Sequence, residues 1–296
     1  GYRYIDERKY FGGQMKVLKD YDIKEFSTMK IGGPCRAIYL PESNEDIKEI
    51  LNTEGNPLII GQMSNILITD KKFDRAIILL RENFSNIELL DDLVYAQAGA
   101  TMGQLSDFAI KNSLAGFEFM EGIPGSIGGG VFMNAGAYGG EMKDIIHSVV
   151  VYRAGEILEV PNEICEFDSR HSVFQDNGDI ILGAYYTATN GDREEIKALV
   201  DDLHERRNSK QPLEYPSCGS VFKRPKGYYA SKLIDDLNLK GTRIGGAMVS
   251  PKHAGFIINY DQASFDDVTQ LIELIRNKVK DEYGVDLETE LRIIEK

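Results

Sequence analysis

Three observations predict an α+β protein built in three parts. Short apolar runs broken by polar turns alternate with a capped helix in the first part, a glycine-dense stretch lies among further strand signals in the second, and the third couples strands to one long helix. With 296 residues, 42% of them apolar, the chain can bury a substantial core and divide into two or three domains.

The first part, residues 1–83, holds a capping box at Ser43-Asn44-Glu45-Asp46 that opens a helix through Ile47, Ile50 and Leu51, and Gly55-Asn56-Pro57 closes it. The runs Leu58–Ile60, Ile66–Ile68 and Ala76–Leu80 follow as buried strands. In the second part, residues 84–210, a strand is expected at Leu93–Ala98, a helix at Thr101–Ser113, and strands at Ser148–Arg153 and Ile180–Thr189. A polar helix from Asp192 to Lys210 leads out of it. The third part, residues 211–284, carries strands at Arg243–Ser250 and Gly255–Tyr260 and a long helix that starts at Ser264 and stops at Gly284. A final strand, within 285–296, is expected to return to the first part. Alternation there puts Leu287, Leu291 and Ile293 on one face and Glu288, Glu290 and Arg292 on the other.

A formal charge of −13 repels nucleic acid and anionic membrane, so neither is expected as a partner. The absence of a long apolar run, of a secretory pattern at the start and of any CxxC or zinc spacing among Cys35, Cys165 and Cys218 fits a soluble protein of a reducing compartment. His147, His171, His204 and His253 share no metal spacing, so no metal site is expected and they read as surface or supporting residues. The charge is uneven: from His204 to His253 ten Lys/Arg stand against four acids. That excess reads either as a solvated surface or as a site for a phosphate or diphosphate.

Nine of the 29 glycines fall between Gly116 and Gly140. Glycine is costly in folding entropy and is kept where the backbone turns with positive φ or comes close to something. Successive N–H groups in such a loop form a concave donor set for phosphate oxygens. A free surface loop is the alternative, but Ile127, Val131, Phe132 and Met133 are apolar. Neither GxGxxG after a strand nor GxxxxGK[ST] occurs, which disfavours Rossmann and P-loop folds.

An ordered set of motifs then spans nearly the whole chain. It comprises Thr28-Met29-Lys30-Ile31-Gly32-Gly33-Pro34, Gly61-Gln62-Met63-Ser64-Asn65, Pro124 to Gly140, Arg170-His171-Ser172-Val173-Phe174, Pro216-Ser217-Cys218-Gly219-Ser220-Val221-Phe222-Lys223, Leu239 to Ala247, Ser250 to Phe256, and Glu290-Leu291-Arg292-Ile293-Ile294. In this the chain resembles the UDP-N-acetylenolpyruvoylglucosamine reductases, within the vanillyl-alcohol-oxidase-type FAD-binding fold. The resemblance implies a two-subdomain FAD-binding region followed by an α+β substrate-binding domain. It further implies non-covalent FAD, NADPH as reductant, a UDP-sugar substrate carrying an enolpyruvyl ether, and a role in cytoplasmic peptidoglycan precursor synthesis.

By the same resemblance FAD would be held by Gly32, by Gly61, Gln62, Met63, Ser64 and Asn65, and by Pro124, Gly125, Ser126, Gly128, Gly129, Asn134, Ala135 and Gly136. Ser220 would give a proton to the substrate α-carbon, Arg170 would pair with the substrate carboxylate, and protonated Glu290 would donate to the developing enolate. Read without the motifs, Ser220 fits a turn, Arg170 a solvated loop and Glu290 a polar strand face. Arg207, Lys210, Lys223 and Arg224 are the candidates for the substrate diphosphate, and Cys218 reads as packing.

Ser169 stands where the family usually has Tyr, Met63 where it has Gly, and Ser27 where it often has Asn, while some members have Asn at the position of Arg224. No inserted tyrosine loop appears, which fits the shorter class of the family. Two other readings compete. A flavin oxidase of the same fold would often tether FAD through His or Cys, and the Pro124 to Gly140 loop has neither. A non-catalytic UDP-sugar or flavin-binding module would not need Ser220 or Glu290.

Overall fold

In the computed structural model, residues 4–10 and 13–296 are described. The first sheet has five strands in the spatial order Tyr4–Tyr10, Gly13–Asp22, Pro34–Leu40, Ile77–Leu79 and Leu58–Ile60. Its last two pairings are parallel. The helix Asn44–Glu54 crosses between strands, opened by reciprocal Ser43 and Asp46 hydrogen bonds and closed at Gly55, as the capping box predicts. Ile47 and Ile50 bury its inner face.

A second sheet is antiparallel throughout, in the order Glu156–Pro161, Ile146–Arg153, Ile180–Thr187, Leu93–Gln97 and Ile87–Leu90. Thr101 caps the helix Met102–Lys111 through a box with Gln104. The strand expected to run through Thr189 ends at Thr187, and Thr189–Asn190 instead pairs with Leu114–Ala115. One continuous apolar cluster joins this sheet to Ile47, Ile50, Ile78 and Leu80 of the first part.

The third sheet runs Ser217–Ser220, Phe256–Asn259, Ala247–Val249 and Arg243–Ile244. The single strand expected over 243–250 is a hairpin: Gly245 takes φ +53° and the Asp267 carboxylate accepts from the Gly246 N–H, so the chain reverses there. The helix Phe265–Tyr283 starts at Ser264 with Asp267 in a capping box and stops at left-handed Gly284. Val268, Leu271, Ile272, Ile275 and Val279 form its buried stripe, each such side chain stabilising by roughly 1.5–3 kcal/mol.

The chain then returns to the first part, where Arg292–Ile294 pairs in parallel with Ile66–Ile68. This strand is shorter than expected. Leu287 and Leu291 are buried, but Ile293 is 38% exposed because it lies on the wall of the cleft described next, and Glu290 precedes the strand rather than lying in it.

Candidate active site

A cleft of about 1610 Å³ opens between the three sheets, larger than the roughly 300–1,000 Å³ of an ordinary ligand pocket. It has room for a dinucleotide cofactor and a sugar nucleotide together. Its floor is formed by two loops, 61–65 and 124–129.

The carbonyls of the first loop are tied from behind. Gly61 O accepts from Arg81 Nε at 3.1 Å, Met63 O from Thr28 Oγ1 at 2.9 Å, and Asn65 O from the Arg292 N–H at 3.1 Å. Met63 takes a left-handed φ of +53° with its side chain buried in the first core, so it keeps the backbone turn that glycine would make at some cost in strain. Among the described residues, the N–H groups of Gln62, Ser64, Gly125 and Ser126 find no protein acceptor. Together these N–H groups suit phosphate oxygens. A Cβ on Gly61 would meet Ser126 Oγ, and one on Gly125, at φ +141°, would come within 3.0 Å of Ser64 Oγ, so the two loops touch only because both positions are glycine. Size, donor set and close backbone approach all fit the diphosphate of FAD.

Most of the predicted cofactor residues line this cleft, including Pro124, Gly128, Gly129, Ala135 and Gly136. Gly32 and Asn134 do not. Gly32 is set against Ile23 and Lys24, where a Cβ would come within 2.6 Å of Ile23 Cγ2, so it serves packing inside the first part. Asn134 is fully buried and braces the loop carrying Arg170, donating to Asp168 O at 2.9 Å and accepting from the Lys143 N–H at 3.0 Å. Several glycines of the rich stretch likewise answer to protein rather than ligand: a Cβ on Gly128 would meet Ala98, and one on Gly130 would meet Met142 and Met102. The stretch is no free loop, since Ile127 and Val131 are fully buried in the short helix Ile127–Phe132.

Beside these segments Arg170, Glu290 and Ser220 line the same cleft. Asp168 and His171 exchange backbone hydrogen bonds, leaving Arg170 at the tip of a tight turn with φ +53°. Gln175 Nε2 holds its carbonyl at 3.0 Å. Arg170 Nε donates to Glu290 Oε1 at 3.0 Å and Nη2 to Gly136 O at 3.0 Å. The guanidinium that the resemblance pairs with the substrate carboxylate is therefore partly engaged already. Glu290 lies beside Ser220 because its N–H donates to Val221 O at 2.8 Å, while Asn65 Nδ2 donates to Glu290 O at 3.1 Å. The Glu290 side chain is 21% exposed. Burial pushes its carboxyl up from the ordinary value, and the nearby Arg170 and Lys223 charges offset this only in part. Ser220 ends a strand opposite Phe256, with its side chain exposed on the cleft wall.

Arg207 and Lys210, from the helix Arg193–Lys210, and Lys223 also line the cleft. Arg207 is 8% exposed with no ion-pair partner among the described residues; it bonds Gln211 at 3.2 Å, stacks on Tyr138, and leaves Nε unsatisfied. Burial lowers its pKa, as expected of a cation taken out of water. Arg224 is not on the cleft; it stacks on the ring of Tyr229 at 4.0 Å. Much of the positive block is spent on surface pairs: Arg206, Lys223, Lys232, Lys240 and Arg243 each meet a carboxylate. Cys218 is buried, with its thiol pushed up to about 11, and packs with Sγ against the carbonyls of Met63 and Ile66.

His253 also faces the cleft, although its sequence context marks it as a surface or supporting residue. Its Nδ1 accepts from the Gly255 N–H at 3.1 Å, which puts the proton of the neutral ring on Nε2, and burial lowers its pKa. Thr28 and Arg292 are further lining residues absent from the sequence-based set. Both lie inside quoted motifs, which is the signal that points to them.

Residues 35–161 match an FAD binding domain, and residues 211–294 match the C-terminal domain of UDP-N-acetylenolpyruvoylglucosamine reductase. The UDP-N-acetylenolpyruvoylglucosamine reductase of Limosilactobacillus reuteri subsp. reuteri is 45% identical over 285 residues, covering 95% of both chains. The chain belongs to the UDP-N-acetylenolpyruvoylglucosamine reductase family. The reductase of Caldanaerobacter subterraneus subsp. tengcongensis is 41% identical over 295 residues, or 98% of this chain and 97% of that one. The crystal structure of the reductase from Thermus caldophilus superposes with a TM-score of 0.82 at 31% identity, covering 95% of this chain and 98% of that one. The two-part FAD-binding region and the C-terminal α+β domain of this reductase family are thus the architecture of the chain.

Proposed function

We propose that this chain reduces the enolpyruvyl group of UDP-N-acetylglucosamine enolpyruvate to give UDP-N-acetylmuramate, a step of peptidoglycan precursor synthesis in the bacterial cytoplasm. NADPH is the electron source. The observation that carries the reading is the meeting of Arg170, Glu290 and Ser220 on one wall of a cleft whose floor is an N–H donor surface. Segments 1–83 and 84–210 would share the cofactor, and 211–284 would bring the substrate.

Bound FAD would supply hydride to the β-carbon of the enolpyruvyl group. The chain's own residues handle the charge and the proton that follow. Arg170 neutralises the substrate carboxylate, and a protonated Glu290, favoured by its burial, donates a hydrogen bond to the enolate oxygen. Ser220 gives its proton to the α-carbon and regains one from solvent. Arg207 and Lys210 hold the substrate diphosphate; an anion there satisfies a guanidinium that has no carboxylate partner among the described residues. The Pro124 to Gly140 loop holds neither His nor Cys to tether flavin, and the Cys218 thiol in the cleft is buried with its pKa pushed up to about 11, which favours the reductase over an oxidase. The reading is tested by NADPH consumption: it should require the enolpyruvyl UDP-sugar and yield UDP-N-acetylmuramate, and oxidation of NADPH at the same rate without that substrate would refute it.

A further inference from the structure

Arg81 has a role that its place in the sequence does not suggest. It follows the buried strand Ile77–Leu79, it is half-buried, and both side-chain hydrogen bonds end on backbone carbonyls: Nε on Gly61 at 3.1 Å and Nη2 on Phe26 at 2.5 Å. The guanidinium also lies over the Phe26 ring at 5.3 Å. No carboxylate among the described residues pairs with it, and its charge is disfavoured by burial. A cation kept in such a place at a cost in desolvation needs a compensating use.

We propose that Arg81 is a positioning residue for the cofactor: by holding the Gly61 carbonyl away from the cleft it aims the free N–H groups of residues 61–65 at the FAD diphosphate. The inference rests on the reading of that loop as the diphosphate loop. A peptide plane is rigid, so fixing the Gly61 carbonyl on one side fixes the following Gln62 N–H on the other. Thr28 acts in the same sense on Met63 O, and the Arg292 N–H on Asn65 O. Arg81 differs from them in joining the loop to Phe26 and in placing a positive charge behind the donors. Lysine keeps the charge but cannot reproduce a planar fork across two carbonyls.

The test uses flavin-free full-length protein, titrated with FAD by quenching of flavin fluorescence, for the parent, Arg81→Met and Arg81→Lys. Thermal unfolding of each flavin-free protein is measured alongside. The expected result is a Kd for FAD raised roughly ten- to hundredfold in Arg81→Met, the scale of a lost charge-assisted hydrogen bond. Arg81→Lys should recover part of that loss, with the melting of the flavin-free proteins little changed. An unaltered Kd in Arg81→Met overturns the inference, as does a loss of affinity matched by a loss of stability in the flavin-free protein with no recovery by lysine. Failure of the parent itself to bind FAD would overturn the reading of the loop, and the inference with it.

Discussion

Glu290 and Ser220 divide the substrate chemistry between charge and proton, and each division has a measurable sign. Ser220→Ala should leave flavin reduction by NADPH nearly intact and slow reoxidation by the enolpyruvyl substrate by roughly 10²–10⁴-fold, the usual scale of general acid catalysis. Stopped-flow traces of the two half-reactions check this; equal slowing of both would count against the assigned role. For Glu290, burial raises the carboxyl pKa above the ordinary 4.5. The neutral acid therefore fits the fold better than the carboxylate, and its contribution is full below about 4.5 and is lost as pH rises through the raised value. Glu290→Gln is neutral at every pH, so its urea midpoint should gain on the parent's across that window. Parallel pH profiles would contradict the argument. Arg207 makes the opposite kind of case. A buried guanidinium without a carboxylate costs stability that binding recovers, so Arg207→Met should melt higher than the parent when ligand-free and bind the UDP-sugar more weakly. A lower melting temperature with unchanged binding would show that the residue is merely structural.

Elements with their own local code were legible in the sequence. Ser43 with Asp46 and Ser264 with Asp267 state where helices begin, and Gly55 and Gly284 where they end, because capping is settled within a few residues. The hairpin at Gly245 was not legible, since its turn is fixed by Asp267, more than twenty residues later. Alternation assigns Ile293 to the buried face, yet Ile294 is the residue that packs on the first part's core while Ile293 lies open, because the chain passes there from the third part's core at Leu291 to the first part's, a change that alternation alone does not encode. Motif membership has the same limit. Gly32, Asn134 and Arg224 sit in or beside family motifs, but the motif does not say which way each one faces: Gly32 packs inward, Asn134 braces the turn of Arg170, and Arg224 rests on Tyr229. Arg81 shows the converse, for its bonds reach 20 and 55 residues back in the chain and leave no local pattern. Contact between the loops at 61–65 and 124–129 is an element-scale requirement. Gly61→Ala would push a methyl group into Ser126 Oγ and should weaken FAD binding more than it lowers the melting temperature of the flavin-free protein.

For the molecule as a whole, the cleft takes residues from all three sheets, so a ligand bound in it adds contacts between parts already joined through shared apolar clusters. FAD at a hundredfold excess over its Kd should stabilise the fold by about 2.7 kcal/mol, read as a rise in melting temperature that grows with the logarithm of FAD concentration. The cleft's lining contrasts with the net charge of −13, since Arg170, Arg207, Lys210 and Arg292 gather there in a chain with 47 acids against 34 Lys and Arg. Salt should accordingly weaken an anionic sugar nucleotide more than it weakens the fold. The most direct test of the whole account is the visible spectrum of the FAD-loaded protein without oxygen, followed on adding NADPH and then the enolpyruvyl UDP-sugar. The flavin bands should bleach with NADPH and return with one equivalent of the sugar nucleotide. A flavin that NADPH bleaches but the sugar nucleotide leaves colourless would contradict the proposed function.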